Sequence, residues 1–103
     1  MSTAHLVEIR SQLEACGWEI VAEDGGDGRS VSAIWQVVDR SGKRTRHIVF
    51  EGMDERAVLP IENAYGCHVQ EAPKVSLYFF RIHGRWKDAV KPFIGAFNRL
   101  ETA

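Results

Sequence analysis

Only two cysteines, Cys16 and Cys67, occur in the 103 residues. That is too few for a disulfide scaffold, and their separation is not that of a metal-ligand pair. Proline is scarce as well, at three residues, so no proline-rich linker or polyproline tract interrupts the chain. No hydrophobic run approaches the ~20 apolar residues that a membrane helix needs. The first ten residues, Met-Ser-Thr-Ala-His-Leu-Val-Glu-Ile-Arg, show no basic stretch followed by an apolar one, so no secretion signal is expected and the cytoplasm is the expected compartment. Charge of one sign is also lacking. Thirteen basic and fourteen acidic residues leave a net charge of −1, which argues against a dedicated nucleic-acid binder. The four histidines, at 5, 47, 68 and 83, contain no helical pair at i, i+4, and no metal or cofactor is expected.

What is present suits one folded domain over residues 1–103. The hydrophobic share is 45% and the charged share 26%, both ordinary for a globular chain of this size. Leu6, Ile9, Leu13 and Cys16 recur at helical spacing. They predict a first helix capped by Ser2 or Thr3 and closed by Gly17, with His5 on its surface. Trp18–Ala22 predicts a first strand with Trp18, Ile20 and Ala22 on one face. Glu23-Asp-Gly-Gly-Asp-Gly28 reads as a turn: it has too few carboxylates at the right offsets for calcium, and no G-x-G-x-x-G order for phosphate.

Val31–Val38 and Arg44–Glu51 follow as strands around the turn Asp39–Gly42. Val75–Ile82, greasy on both faces, reads as a central strand. Trp86, Val90, Phe93, Phe97 and Leu100 mark a last helix, capped by Asp88, with Pro92 near its first turn. The expected fold is therefore α+β, a four-stranded antiparallel sheet with two helices on one face, in the order α-β-β-β-(irregular)-β-α. The second strand alternates imperfectly, so the opposite face is expected to keep some apolar surface for a partner.

Three functional readings follow. Cys67-His68 suggests a nucleophile and base, and hence a minor enzyme using Cys67. Adjacent residues in a strand, however, point to opposite faces and cannot serve each other. Arg40, Lys43, Arg44, Arg46 and His47 crowd one hairpin, and this basic hairpin 40–47 suggests a small nucleic-acid-associated domain. The element order also resembles double-stranded-RNA-binding domains. Their lysine cluster opening the last helix is missing, since Lys87 and Lys91 flank an acid.

The third reading centres on residues 52–73, which have no core-making period. Such a segment inside a small domain often carries function. Its Asp54, Glu55, Glu62 and Tyr65 combine three carboxylates with a ring able to bury area and keep a hydrogen bond. This segment, together with Leu77-Tyr-Phe-Phe80 and the Trp86…Phe97 helix, resembles small immunity proteins of bacterial toxin–antidote systems of the contact-dependent inhibition type. The resemblance implies a non-catalytic module that binds another protein, a toxin domain, and neutralises it. Asp54, Glu55, Glu62 and Tyr65 are the residues expected to meet that partner.

Overall fold

The computed structural model describes residues 4–25, 31–52, 64–78 and 86–99. In chain order these form α1 (Ala4–Ala15), β1 (Trp18–Gly25), β2 (Val31–Asp39), β3 (Thr45–Glu51), β4 (Gly66–Val69), β5 (Ala72–Tyr78) and α2 (Trp86–Arg99). The strands make one five-stranded sheet in sequence order, β1-β2-β3-β4-β5, with every pairing antiparallel. The α+β class and the first three strands agree with the sequence; the strand number and the place of the last strand do not.

The extra strand is β4. Four residues are too few to show an alternation, so Gly66–Val69 is hidden in the aperiodic stretch. Its insertion beside β3 moves Val75–Tyr78 to the rim of the sheet formed by the described residues. The expectation of a central strand is thereby corrected. Its two apolar faces have different owners: Leu77 is buried in the core, while Tyr78 on the other face is 40% exposed. Phe79, Phe80 and Ile82 lie outside the described residues.

One face of the sheet carries the core. Across it, Ile20 pairs with Val37, Trp35 with Ile48, Phe50 with Cys67 and Cys67 with Leu77. Both helices lie on this inner face: Ile9 and Leu13 of α1 and Val90, Phe93, Ile94 and Phe97 of α2 join those side chains in a single buried cluster. Aromatic rings meet edge-on, the geometry their quadrupoles prefer, at 4.7 Å for Trp18 and Phe97 and 4.6 Å for Trp35 and Phe50.

Local chemistry explains where the helices and strands depart from expectation. α1 ends at Ala15, and Gly17 takes the left-handed conformation at φ 88° that closes it. Cys16 therefore falls in the turn and is exposed. His5 replaces it in the apolar stripe: four residues before Ile9, it is buried at 9% exposure rather than on the surface. β1 carries a bulge between Ile20 and Ala22, so Ala22 pairs with Gln36 and Glu23 comes opposite Trp35. Ala22 thus leaves the face of Trp18 and Ile20, and β1 runs on through Glu23, Asp24 and Gly25 instead of turning there. Glu23 accepts a hydrogen bond from the buried Trp35 indole at 2.6 Å, satisfying a donor that would be costly to leave unpaired. α2 begins at Trp86, two residues before the expected cap Asp88, which places Pro92 inside the helix. Val90, Phe93 and Phe97 keep their expected inward stripe.

Candidate functional site on the outer sheet face

With the helices on the inner face, the other side of the sheet carries Ile34, Val38 and Val49 on its central strands. Val49 is only 5% exposed yet does not belong to the main core cluster. Around it stand two imidazole–carboxylate pairs. On one side, Glu71 at the β4–β5 turn accepts from the His47 backbone at 2.9 Å and meets His47 Nδ1 at 2.7 Å. Partial burial pushes the Glu71 carboxyl up, but the hydrogen bonds from His47 outweigh it and hold the group below the usual carboxylate range. Gln70 N–H donates to the His47 carbonyl at 2.8 Å, so the turn is anchored to the start of β3.

The second pair is more unusual. Glu51, Gly66 and Tyr78 lie in one row across β3, β4 and β5. Gly66 has no side chain to fill its place, and a Cβ there would fall on the Tyr78 ring. The glycine thus lets the ring lie flat over β4 and bring its phenol to Glu51. The negative charge of Glu51 chiefly, then partial burial and a hydrogen bond to that carboxylate, holds the Tyr78 phenol above its ordinary range. The same carboxylate meets His68 Nδ1 at 3.0 Å. The side chains of both His68 and Glu51 are about a quarter exposed, at 26% and 25%.

Tyr65 joins this cluster. Its N–H donates to the Glu51 carbonyl at 3.0 Å, so the two ends of the 52–64 segment meet at the site. Tyr65 is 37% exposed, and its neighbour Ala64, at 1%, takes the core position instead. Asp54, Glu55 and Glu62 lie outside the described residues. Of the partner-binding residues expected from the sequence, Tyr65 alone can be placed, and it stands at the surface beside Tyr78. Sequence reasoning missed Glu51 and did not bring His68 and Tyr78 to it. No local motif marks them: they converge through register and through the missing side chain of Gly66.

The residues of the other two sequence readings have these surroundings. Cys67 faces the core at 0% exposure, and burial first, then the charge of Glu51, pushes its thiol far above the ordinary range. His68 projects from the opposite face towards Glu51, so the two adjacent residues do not pair. In the basic hairpin the three arginines have partners within the chain. Arg44 binds Asp39 at 2.7 Å, lies 4.7 Å over the Trp18 ring and donates to the Asn98 carbonyl at 3.3 Å. Arg40 donates to the Glu14 carbonyl at 3.4 Å. Arg46 is buried at 4% exposure and donates to the Thr45 carbonyl. Arg44 chiefly, with Ser41 and the backbone of Arg44 and Lys43, holds the Asp39 carboxyl far below its usual range. The hairpin is a clasp between β2, β3 and the end of α2. Among the described residues, no group of three or more His, Cys, Asp or Glu could hold a metal ion, and no helix is long and apolar enough to cross a membrane.

Compared with models of protein families, with curated proteins and with solved structures, the chain matches none.

Proposed function

We propose that this chain is a non-catalytic protein-binding module whose outer sheet face captures another protein. In its most specific form it is a cytoplasmic immunity protein that binds and neutralises a cognate bacterial toxin. The observation that carries the reading is the exposed Tyr78, held by the Glu51 carboxylate on the face that the helices leave open, with the exposed Tyr65 tied through its backbone to Glu51. Tyrosines with an apolar body and a polar tip are favoured anchors of interfaces. Here Tyr78 is positioned in advance by Gly66 and Glu51, which lowers the entropy cost of docking.

The acidic segment supplies the second half of the reading. Residues 53–63 join Gly52 to Ala64 in sequence and carry Asp54, Glu55 and Glu62. A toxin that handles nucleic acid exposes a basic cleft, and carboxylates that met it would steer the encounter and stand in for phosphate. The partner is therefore expected to be basic.

The test is a pull-down with the wild-type chain from its source cells, followed by affinity measurements on the captured partner with Asp54→Ala, Glu62→Ala and Tyr65→Ala at two salt concentrations. The carboxylate variants should lose on-rate, and lose more of it at low salt. Tyr65→Ala should raise the off-rate. Unchanged affinity in all three folded variants would remove the assignment, and loss confined to Arg40→Ala and Lys43→Ala would move the site to the hairpin.

A further inference from the structure

Two acids of the outer sheet face are paired with imidazole, where the hairpin uses guanidinium. Asp39 of the hairpin is held by Arg44, which is a cation at every working pH. On the outer face Glu71 is met by His47 at 2.7 Å and Glu51 by His68 at 3.0 Å, and all four side chains are partly exposed. An arginine keeps such a pair neutral throughout. An imidazole neutralises it only when protonated, and its ordinary titration falls between about pH 5 and 8.

We propose, on the reading that the partner is basic, that protonation of His47 and His68 releases it from the outer sheet face. Capture is then strong near neutrality and weakens as pH falls through the imidazole range. Above that range the two pairs hold two net negative charges, one on each carboxylate; below it they hold none. The change is large for this face, because the described positions of β1–β4 on it hold no lysine or arginine. β1 adds Glu19 opposite Val38 and Asp24 opposite Ile34, so the face is electronegative when the imidazoles are neutral. A basic partner is drawn to it in that state and loses that attraction in the other.

The surroundings of each ring leave the change of charge to the imidazoles. His47 lies opposite Gln36 of β2, with Ile34 and Val38 diagonal to it and Thr45 and Val49 beside it on β3. His68 lies opposite Val49 of β3 and Ser76 of β5, with Glu51 and Tyr78 diagonal to it. Lys74 of β5 belongs to the stretch that leaves the ladder between Ala72 and Ser76. Carboxylates ordinarily titrate near about pH 4 and phenols near about pH 10. Glu71 lies below its ordinary range and Tyr78 above, which takes both further from the imidazole window.

The experiment uses the full chain, labelled for amide NMR, with blocked tetra-arginine as a basic probe that does not itself titrate near neutrality. At low salt and about pH 7.5, where the imidazoles are chiefly neutral, the peptide should shift the signals of Glu51, Tyr65, His68 and Tyr78. At about pH 5.5 its affinity should fall by about threefold or more, the loss expected when two exposed charge pairs are neutralised. The double variant His47→Gln, His68→Gln, uncharged at both pH values, should bind equally at the two. The double variant His47→Arg, His68→Arg should also bind equally at the two, and as weakly as the protonated parent. A smaller pH effect in the parent, with the peptide seated on this face, would overturn the proposal and leave the protein-binding reading standing. A pH effect that survives in the glutamine variant would overturn it as well. A peptide that shifts none of the outer-face signals at the higher pH would remove the basic-partner reading itself, and the pH switch with it.

Discussion

Replacing Gly66 by Ala tests the arrangement of the tyrosine face at its hinge. The added methyl would overlap the Tyr78 ring and lie 3.0 Å from the Leu77 carbonyl oxygen. Of these neighbours the ring can yield, because Tyr78 is 40% exposed and can swing towards solvent; the backbone oxygen of β5 cannot move without straining the ladder. Overpacking of a rigid site costs ~1–3 kcal/mol. With one yielding neighbour, the expected cost is in the lower half of that range, about 1–2 kcal/mol. The larger signature is electrostatic. Once displaced, Tyr78 loses the charge and hydrogen bond of Glu51, and its phenol should titrate lower, close to the ordinary value of about 10. Tyr65 and Tyr78 are the only tyrosines, so a Tyr65→Phe background leaves one phenol to follow by the absorbance of tyrosinate. Urea unfolding read by tryptophan fluorescence gives the stability on the same proteins. An unshifted phenol titration, with stability within about 0.5 kcal/mol of the parent, would refute the proposed role of Gly66.

Three other perturbations have defined outcomes. Phe97→Ala removes a fully buried ring that touches Trp18 and Phe93, and should cost ~3–5 kcal/mol in urea unfolding; less than about 1 kcal/mol would contradict its place in the core. Asp39 titrates lower when folded than when unfolded, so its contribution is fully present above the ordinary carboxylate range and is lost as pH falls through the depressed folded value. Asp39→Asn should therefore destabilise the protein near neutrality by an amount that shrinks below about pH 4, and a constant difference down to acid pH would show that the Asp39 charge is not involved. A thiol reagent should modify Cys16 in the native chain and reach Cys67 only on unfolding; comparable rates at both thiols would contradict the burial of Cys67.

Much of the fold was legible because its elements are long enough to show a period. Ala33, Trp35 and Val37 alternate into the core, and Val90, Phe93 and Phe97 recur at helical spacing, as their burial bears out. The misreadings have physical causes. β4 is four residues long, so no alternation could declare it, and without it β5 was taken for a central strand. A bulge turned Ala22 over and brought Glu23 opposite Trp35, a shift that residue types alone do not announce. The partners of Arg44 were not legible either, because Asp39, Trp18 and Asn98 come from three different elements. The candidate site was legible only at Tyr65. Its neighbours Glu51, His68 and Tyr78 come from separate strands, and the glycine that lets them meet looks in sequence like any turn glycine.

The central claim is that partner capture depends on the outer sheet face. Its most direct test is the affinity of the captured partner for Tyr78→Ala and Tyr65→Ala, set against Arg40→Ala and Lys43→Ala on the clasp hairpin, with folding checked for each variant. Each tyrosine variant should bind about tenfold or more weakly, in keeping with an interface anchor, while the hairpin variants bind as the parent does. Tyrosine variants that bind like the parent would contradict the account, and the more directly if the hairpin variants lose affinity.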